Sequence, residues 1–245
     1  MTYGVGLLLD EGLVFASDCR TTGGVDSILT YRKMRVFECP GERVLVFLSA
    51  GNLAVTQATL SNLAEGTLGK KAHSILKAPT MYQVARLAGE ALRDVHRIDA
   101  AHMRNHNVDF NATLILGGQI KGEEPRLFMI YAAGNFIEAH SDTHMFQIGE
   151  IKYGKPVFDR LLVRSMSFSD AAKLTLISFD STMRSNLSVG PPIDMICYRK
   201  DSFCVTDQRR FTEQHPYLLE IRRLWGEALR RAFEDIPPMD MKVES

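Results

Sequence analysis

The sequence has no excess of charge of either sign, because Lys+Arg and Asp+Glu each number 29 among its 245 residues. This balance gives no electrostatic reason to expect binding to nucleic acid or to an anionic membrane surface. No apolar run approaches the roughly 18 residues of a membrane span, and no basic segment followed by an apolar one opens the chain. These absences predict a soluble protein of the cytoplasm.

The sequence also lacks the cysteine and histidine patterns of disulfide-bonded or metal-binding proteins. Its four cysteines (Cys19, Cys39, Cys197 and Cys204) are scattered, with no Cys-x-x-Cys pair. This is typical of buried thiols in a reducing compartment. The histidines at 96, 102 and 106 have no acidic ligands at matching positions on their predicted helix, which favours a solvated helix end. We therefore expect neither a metal site nor a cofactor.

The chain is long enough for one large domain, and 45% of its residues are hydrophobic. The pattern predicts strands, two helices, strands, two more helices, strands and a last helix. Two antiparallel sheets packed face to face, with a helix pair on each outer side, would satisfy this order. The predicted helices are 53–65, 80–103, 155–164, 169–183 and 216–233, and the predicted strands are 2–9, 13–18, 30–38, 43–50, 110–118, 126–131, 135–140, 144–148, 193–199 and 202–206.

The first strand and the second form a predicted hairpin around the turn Asp10-Glu11-Gly12. A three-residue loop that pairs Leu9 with Leu13 would place Gly4 opposite Asp18. Thr2 and Asp18 would then be diagonal neighbours on one face, with Cα atoms roughly 7–8 Å apart. This hairpin predicts that a carboxylate lies beside the second residue of the chain.

Three chemically useful groups meet near this hairpin. Removal of Met1 would give Thr2 a free α-amino group beside its hydroxyl, and Gly4 and Gly6 would leave the face beside it open. The third strand, 30–38, would bring Lys33 alongside. Singly, such residues are more often structural, since a strand-ending aspartate is commonly a turn former and a strand lysine an edge charge. Only their combination with a terminal threonine favours a catalytic role.

The residues quoted above resemble a known family. Thr2, the stretch 17–22 (SDCRTT), Lys33 and Ala50-Gly51 together resemble the bacterial proteasome-like β-subunit family, and most closely its Anbu (ancestral β-subunit) type. The resemblance runs over nearly the whole chain, including 146–149 (FQIG) and the late loop 184–194. It implies an α+β fold, a four-layer αββα sandwich of the N-terminal-nucleophile hydrolase type in a single domain, 1–245, with an extra C-terminal helix in a helical extension, 211–245.

The resemblance also implies roles for individual residues. Thr2 corresponds to the catalytic threonine, Asp18 to the strand aspartate and Lys33 to the activating lysine. The threonine hydroxyl needs a base, and an α-amino group with an unperturbed pKa of about 7.7–8.0 can serve. The backbone N–H of Gly51 matches the family's oxyanion donor, and backbone around Thr22 and Gly51 would bracket an extended peptide. No propeptide is expected, so aminopeptidase removal of the initiator would suffice.

The sequence departs from the family pattern in three places. The spacing from Asp18 to Lys33 is one residue shorter than usual. Ser188 matches the family serine of the late loop, but Ser185 stands where an aspartate is usual. Glu150 stands where a serine is usual. We therefore expect an altered set of hydrogen bonds around the terminal amine and weaker activity.

The leading interpretation is a threonine hydrolase that cleaves peptide or other amide bonds within a self-assembled ring or ring-like homo-oligomer. Two alternatives remain open at this stage. One is a non-catalytic assembly subunit that uses the same fold as a scaffold. The other is an amidase or transferase that acts on a non-peptide amide. The sequence identifies neither the natural substrate nor an ATPase partner.

Overall fold

The computed structural model describes residues 2–22, 28–66, 74–106 and 109–241. Met1 and residues 242–245 of the predicted C-terminal extension lie outside these ranges. The described residues form an α+β fold with five helices and three antiparallel sheets. The helices are α1 (Leu53–Glu65), α2 (Met81–Asn105), α3 (Lys155–Leu161), α4 (Phe168–Ser185) and α5 (Pro216–Asp235). The strands are β1 (Tyr3–Leu9), β2 (Gly12–Asp18), β3 (Arg20–Thr22), β4 (Ile28–Thr30), β5 (Met34–Cys39), β6 (Arg43–Gly51), β7 (Ala112–Ile120), β8 (Arg126–Ile130), β9 (Phe136–Glu138), β10 (Met145–Gly149), β11 (Ile193–Arg199) and β12 (Asp207–Phe211).

Two five-stranded sheets form the centre of the fold, with strand orders β10-β1-β2-β11-β12 and β5-β6-β7-β8-β9. Side chains from both sheets form one buried cluster that includes Phe15, Leu48 and Ile115. A second cluster lies between the β5–β9 sheet and the helices α1 and α2. A third joins the other sheet to α3, α4 and the start of α5. Each sheet therefore buries one face against the other sheet and one face against helices, which explains the nearly continuous apolar runs of β1 and β6.

The predicted helix starts are confirmed by their capping contacts. The side chain of Asn52 accepts a hydrogen bond from the Val55 N–H at 3.2 Å. Thr80 caps α2 in the same way, accepting from the Gln83 N–H at 3.2 Å. At the start of α4, the side chain of Ser167 accepts a hydrogen bond from the N–H of Asp170. These side chains satisfy backbone donors that have no partner within the first helical turn.

Two predicted strands differ in the structure. The third strand is interrupted, since β4 ends at Thr30 and β5 begins at Met34, so Lys33 lies just before a strand rather than within one. The prediction of a strand over 202–206 is wrong, because the strand that pairs with β11 is β12. The chain before β12 contains Asp201 and Phe203 with φ of 63° and 46°, and these left-handed conformations are incompatible with an extended strand.

The predicted register of the first hairpin is also wrong. Leu9 pairs with Gly12, and Gly4 pairs with Ser17 rather than with Asp18. Gly12 is the first residue of β2 and has a φ of 143°, which side chains rarely allow. A Cβ there would also overlap the carbonyl oxygen of Tyr198 on the neighbouring strand β11. Only glycine fits this position, so the turn has two residues instead of three.

Gly4 and Gly6 do not leave an open face beside Thr2. A Cβ on Gly4 would lie 3.0 Å from Ile148, and one on Gly6 would lie 3.0 Å from both Ile115 and Leu127. The small residues instead let side chains of neighbouring strands and of the opposite sheet approach the backbone of β1. The predicted opening is therefore filled by the core between the sheets.

α5 contacts the rest of the chain mainly through its first two turns. Leu218 and Ile221 are its buried residues, and Arg222 donates to Asp180 of α4 at 3.0 Å.

Among the described residues, no helix has the length and apolar character needed to cross a bilayer.

Candidate active site

Thr2 lies just before β1 and is largely buried, with 8% of its surface exposed. Its carbonyl oxygen accepts a hydrogen bond from the N–H of Glu150 at 2.7 Å. Gly149, the residue before Glu150, has a φ of 81°, and a Cβ there would overlap the Thr2 carbonyl. The end of β10 can therefore approach Thr2 closely only because position 149 is glycine.

Asp18 links the segment that follows Thr2 to Lys33. It ends β2 and is fully buried. Its Oδ1 accepts hydrogen bonds from the Tyr3 N–H at 3.0 Å and from Lys33 Nζ at 3.0 Å. The corrected register places Asp18 across from Tyr3, so the carboxylate holds the backbone of the residue after Thr2 rather than lying diagonal to Thr2.

Lys33 is 5% exposed and is held by backbone groups as well as by Asp18. Its ammonium donates to the Arg20 carbonyl at 2.5 Å, and its own carbonyl accepts from the Ser49 N–H of β6 at 3.0 Å. Burial lowers the pKa of Lys33, and the Asp18 carboxylate opposes that shift. Burial likewise raises the pKa of Asp18, with Lys33 opposing. The buried lysine therefore gives up a proton more readily than an exposed one, which suits a group that assists proton transfer.

Gly51, at the end of β6, has a φ of 104°. Successive N–H groups of a strand point to alternate sides, and the Ser49 N–H points toward Lys33. The Gly51 N–H therefore points to the same side, beyond the start of β5. Its role as an oxyanion donor stays a prediction.

Thr2, Lys33 and Gly51 line one cavity of about 590 Å³. This shared cavity brings together the predicted nucleophile, the predicted activating lysine and the predicted oxyanion donor. The other lining residues are Thr21, Ser49, Ala50, Asn52, Leu53, Asp109 and Gly149.

Sequence reasoning missed Thr21, which lines the cavity next to the predicted substrate-binding residue Thr22. Its hydroxyl is buried, and the structure shows no hydrogen-bond partner for it in the described ranges. Thr22 is placed at the end of β3, opposite Ile28. Substrate binding by the backbone around Thr22 stays a prediction.

The two predicted late-loop serines have different surroundings. Ser185 is the last residue of α4 and is exposed. Ser188 donates both its N–H and its hydroxyl to Oδ1 of Asn186, at 3.0 and 2.5 Å. Asn186 in turn donates to Oε2 of Glu150 at 2.8 Å. Ser188 is therefore connected to the residue that contacts Thr2, through an asparagine that the sequence analysis did not single out.

The described ranges contain no cluster of three or more His, Cys, Asp or Glu side chains that could hold a metal ion. The ionisable groups that line the cavity are Lys33 and Asp109.

Solved structures of three bacterial proteins are similar to this chain over nearly its full length. The Anbu (Gly-1) mutant from Hyphomicrobium sp. strain MC1 is 50% identical, with a TM-score of 0.91 over 98% of this chain and 100% of that chain. Anbu (ancestral beta-subunit) from Yersinia bercovieri is 49% identical, with a TM-score of 0.90 over 98% and 100%. The helical assembly of the Anbu complex from Pseudomonas aeruginosa is 42% identical, with a TM-score of 0.92 over 98% of both chains. No protein-family model and no curated protein matches the chain.

Proposed function

Since the chain belongs to the Anbu (ancestral β-subunit) family, we propose that it is an N-terminal threonine hydrolase that cleaves peptide or other amide bonds, with Thr2 as its nucleophile. The observation that carries this proposal is the bridge made by Asp18. One buried carboxylate oxygen holds both the backbone after Thr2 and the Lys33 ammonium. This bridge supports the proposed roles, because one carboxylate links the segment of the proposed nucleophile to the proposed activating lysine, and both residues line one cavity.

The proposed reaction starts once residues before Thr2 have been removed. The neutral α-amino group of Thr2 takes the hydroxyl proton while Oγ1 attacks the carbonyl carbon of the amide. The Gly51 N–H donates to the oxygen that gains negative charge. The C–N bond then breaks, the departing amine takes the proton, and an ester remains on Thr2. Water cleaves that ester and regenerates the hydroxyl.

We also propose the finer description of the fold that the family implies. The three buried clusters support a four-layer αββα sandwich of the N-terminal-nucleophile hydrolase type in a single domain. The limited contact of α5 supports residues 211–245 as a C-terminal extension. The helical assembly of the Pseudomonas relative supports self-association of this chain. Ring or ring-like closure and a cytoplasmic location stay predictions.

A threonine-directed β-lactone tests the proposed nucleophile. We expect the reagent to add its mass to the N-terminal peptide of protein that has lost Met1, because acylation needs the Thr2 hydroxyl and a free amine. Thr2→Ala should abolish this labelling, whereas Thr143→Ala, which changes an exposed threonine, should leave it unchanged. Mass spectrometry of the N-terminal peptide gives both results. Labelling that persists in Thr2→Ala, or Met1 retained in the cellular protein, would contradict the proposal.

The scaffold alternative is favoured by one observation, the exposed position of Ser185 where the family has an aspartate. Labelling of Thr2 together with turnover of a peptide library would exclude a purely structural role. Labelling with turnover of non-peptide amides alone would instead identify an amidase or transferase.

A further inference from the structure

Glu150 is placed directly opposite Thr2. Tyr3 pairs with Gly149 across β1 and β10, so the next register position sets Thr2 against Glu150. The backbone hydrogen bond from Glu150 to the Thr2 carbonyl, 2.7 Å long, fits this pairing. Gly149 ends β10 with a left-handed φ of 81°, so it is this backbone hydrogen bond, and not regular strand geometry, that brings Glu150 to the residue that carries the proposed nucleophile.

The carboxylate of Glu150 is buried and held in one orientation. Only 9% of the residue is exposed, and Oε2 accepts a hydrogen bond from Nδ2 of Asn186 at 2.8 Å. The amide of Asn186 cannot turn over, because its Oδ1 already accepts two hydrogen bonds from Ser188. Ser188 and Asn186 thus hold a fixed donor toward Glu150, at the end of α4.

We propose that Glu150, oriented by Asn186, is the counter-ion of the Thr2 α-amino group and so sets the pH range in which Thr2 reacts. This inference rests on the proposed function of Thr2. An opposite charge within about 4–6 Å favours the charged form of an amine. Glu150 therefore keeps the amine protonated to higher pH, and since only the neutral amine can act as base, it shifts the reactive range in the alkaline direction.

Other charged groups near Thr2 and Glu150 oppose or weaken the effect of the Glu150 carboxylate on the α-amino group. The Lys33 ammonium favours the neutral amine, and it is itself paired with Asp18 at 3.0 Å. The Lys152 ammonium lies 3.7 Å from Oε1 of Glu150 and partly neutralises it. Other charged side chains on the surrounding elements include Arg20, Asp109 and Arg184. Glu150 is the negative charge held opposite Thr2, so its removal should have the largest effect.

The charge on the α-amino group can be measured without any hydrolase activity. The full chain is produced with Thr2 as its first residue by cleaving a fusion directly before it. Trace acetylation with acetic anhydride over a pH series, followed by mass spectrometry of the N-terminal peptide, gives the titration midpoint of the amine. We expect Glu150→Gln, which keeps the shape of the side chain, to lower this midpoint by about 0.5–1 pH unit.

Two further variants complete the design. Lys152→Gln, which changes an exposed side chain, should raise the midpoint by a smaller amount, because it leaves Glu150 less neutralised. Glu213→Gln removes an exposed carboxylate elsewhere and should leave it unchanged. Thermal unfolding of each variant shows that the fold is kept. Should Glu150→Gln fail to fold, Lys152→Gln tests the same charge with the opposite sign.

The outcomes for the two proposals are separate. An unchanged midpoint in folded Glu150→Gln overturns the counter-ion role, even if the β-lactone labels Thr2. A lowered midpoint supports that role. A lowered midpoint in a protein whose Thr2 the lactone never labels supports the charge pair and contradicts the hydrolase.

Discussion

The first hairpin and the last helix are both rich in apolar residues, but they differ in how far those residues are buried. Every residue of β1 and β2 is buried. In the twenty residues of α5, Leu218 and Ile221 are buried, whereas the apolar residues Leu224, Leu229 and Phe233 are 43%, 52% and 78% exposed. The hairpin is covered on one face by the other sheet and on the other by α4. The helix is fully buried at two positions near its beginning, is half-buried from Trp225 to Ala228 and is exposed from Leu229 onward.

This difference teaches that an apolar pattern identifies the side chains that favour burial, but not what covers them. For the hairpin, the cover comes from elements far along the chain, such as the Phe179 ring, whose centroid is 4.6 Å from that of Tyr3. For α5, full burial ends at Ile221, and every described residue from Leu229 onward is exposed. The sequence pattern of the two segments is equally clear, so only the fold distinguishes them.

The largest expected effect comes from the buried side of this comparison. Phe15→Ala should lower the free energy of unfolding by about 3–5 kcal/mol, because it removes a fully buried ring and leaves a cavity between the sheets. The ring packs so closely on Gly117 that a Cβ there would lie 2.6 Å from Cζ of Phe15. Urea unfolding followed by far-UV circular dichroism measures the loss.

Phe233→Ala is the matched control on α5. Its ring is 78% exposed, so the change should alter the free energy of unfolding by less than about 0.5 kcal/mol. A loss as large as that of Phe15→Ala would break the comparison, since it would mean that the end of α5 is covered in solution.

The sequence predicted all five helices found in the described residues, but not the register of the first hairpin. Polar caps such as Asn52 and Thr80 act within one turn of their helix, so local sequence reveals them. The register of the hairpin depends on Gly12, whose need for glycine comes from the carbonyl of Tyr198 on a strand late in the chain. Because a local sequence pattern does not reveal a contact between residues so far apart, the prediction placed Gly12 in the turn.

The candidate site was predicted only in part. Thr2 and Lys33 were proposed from position and resemblance, and they line the same cavity in the structure. The connection from Ser188 through Asn186 to Glu150 was not predicted, because it joins the end of α4 to the end of β10 by side-chain hydrogen bonds. Such a long-range connection has no periodic signal in the sequence.

A smaller effect should mark where the cover of α5 ends. Arg222 donates to Oδ1 of Asp180, which is 1% exposed, whereas the neighbouring Arg223 pairs with the exposed Glu227. Arg222→Met should cost about 1.5–3 kcal/mol, because a buried carboxylate loses a charged donor and keeps only Arg184. Urea unfolding and the rate of proteolysis within α5 measure it.

Arg223→Met is the control for this prediction. An exposed helical pair contributes only about 0.3–0.5 kcal/mol, so this variant should be nearly neutral. Equal losses for the two variants would show that α5 is not attached through Asp180.

An effect that is absent at neutral pH and develops only in alkali tests whether the burial of the hairpin extends past the end of β2. Cys19 is fully buried, and its thiol donates to Asp194 at 3.3 Å. Burial, with Asp194 as the second cause, raises the pKa of Cys19 to about 12 from an ordinary 9.0. Between these values the folded protein keeps a proton that the unfolded chain releases, so stability falls as pH rises through this range. The fall should be about 1.4 kcal/mol per pH unit relative to Cys19→Ala.

Cys39→Ala, which keeps Cys19, should show the same decline as the unchanged protein. Parallel pH profiles for the unchanged protein and Cys19→Ala, measured by urea unfolding from pH 8 to about 10.5, would show that the thiol titrates normally and that the burial ends with β2.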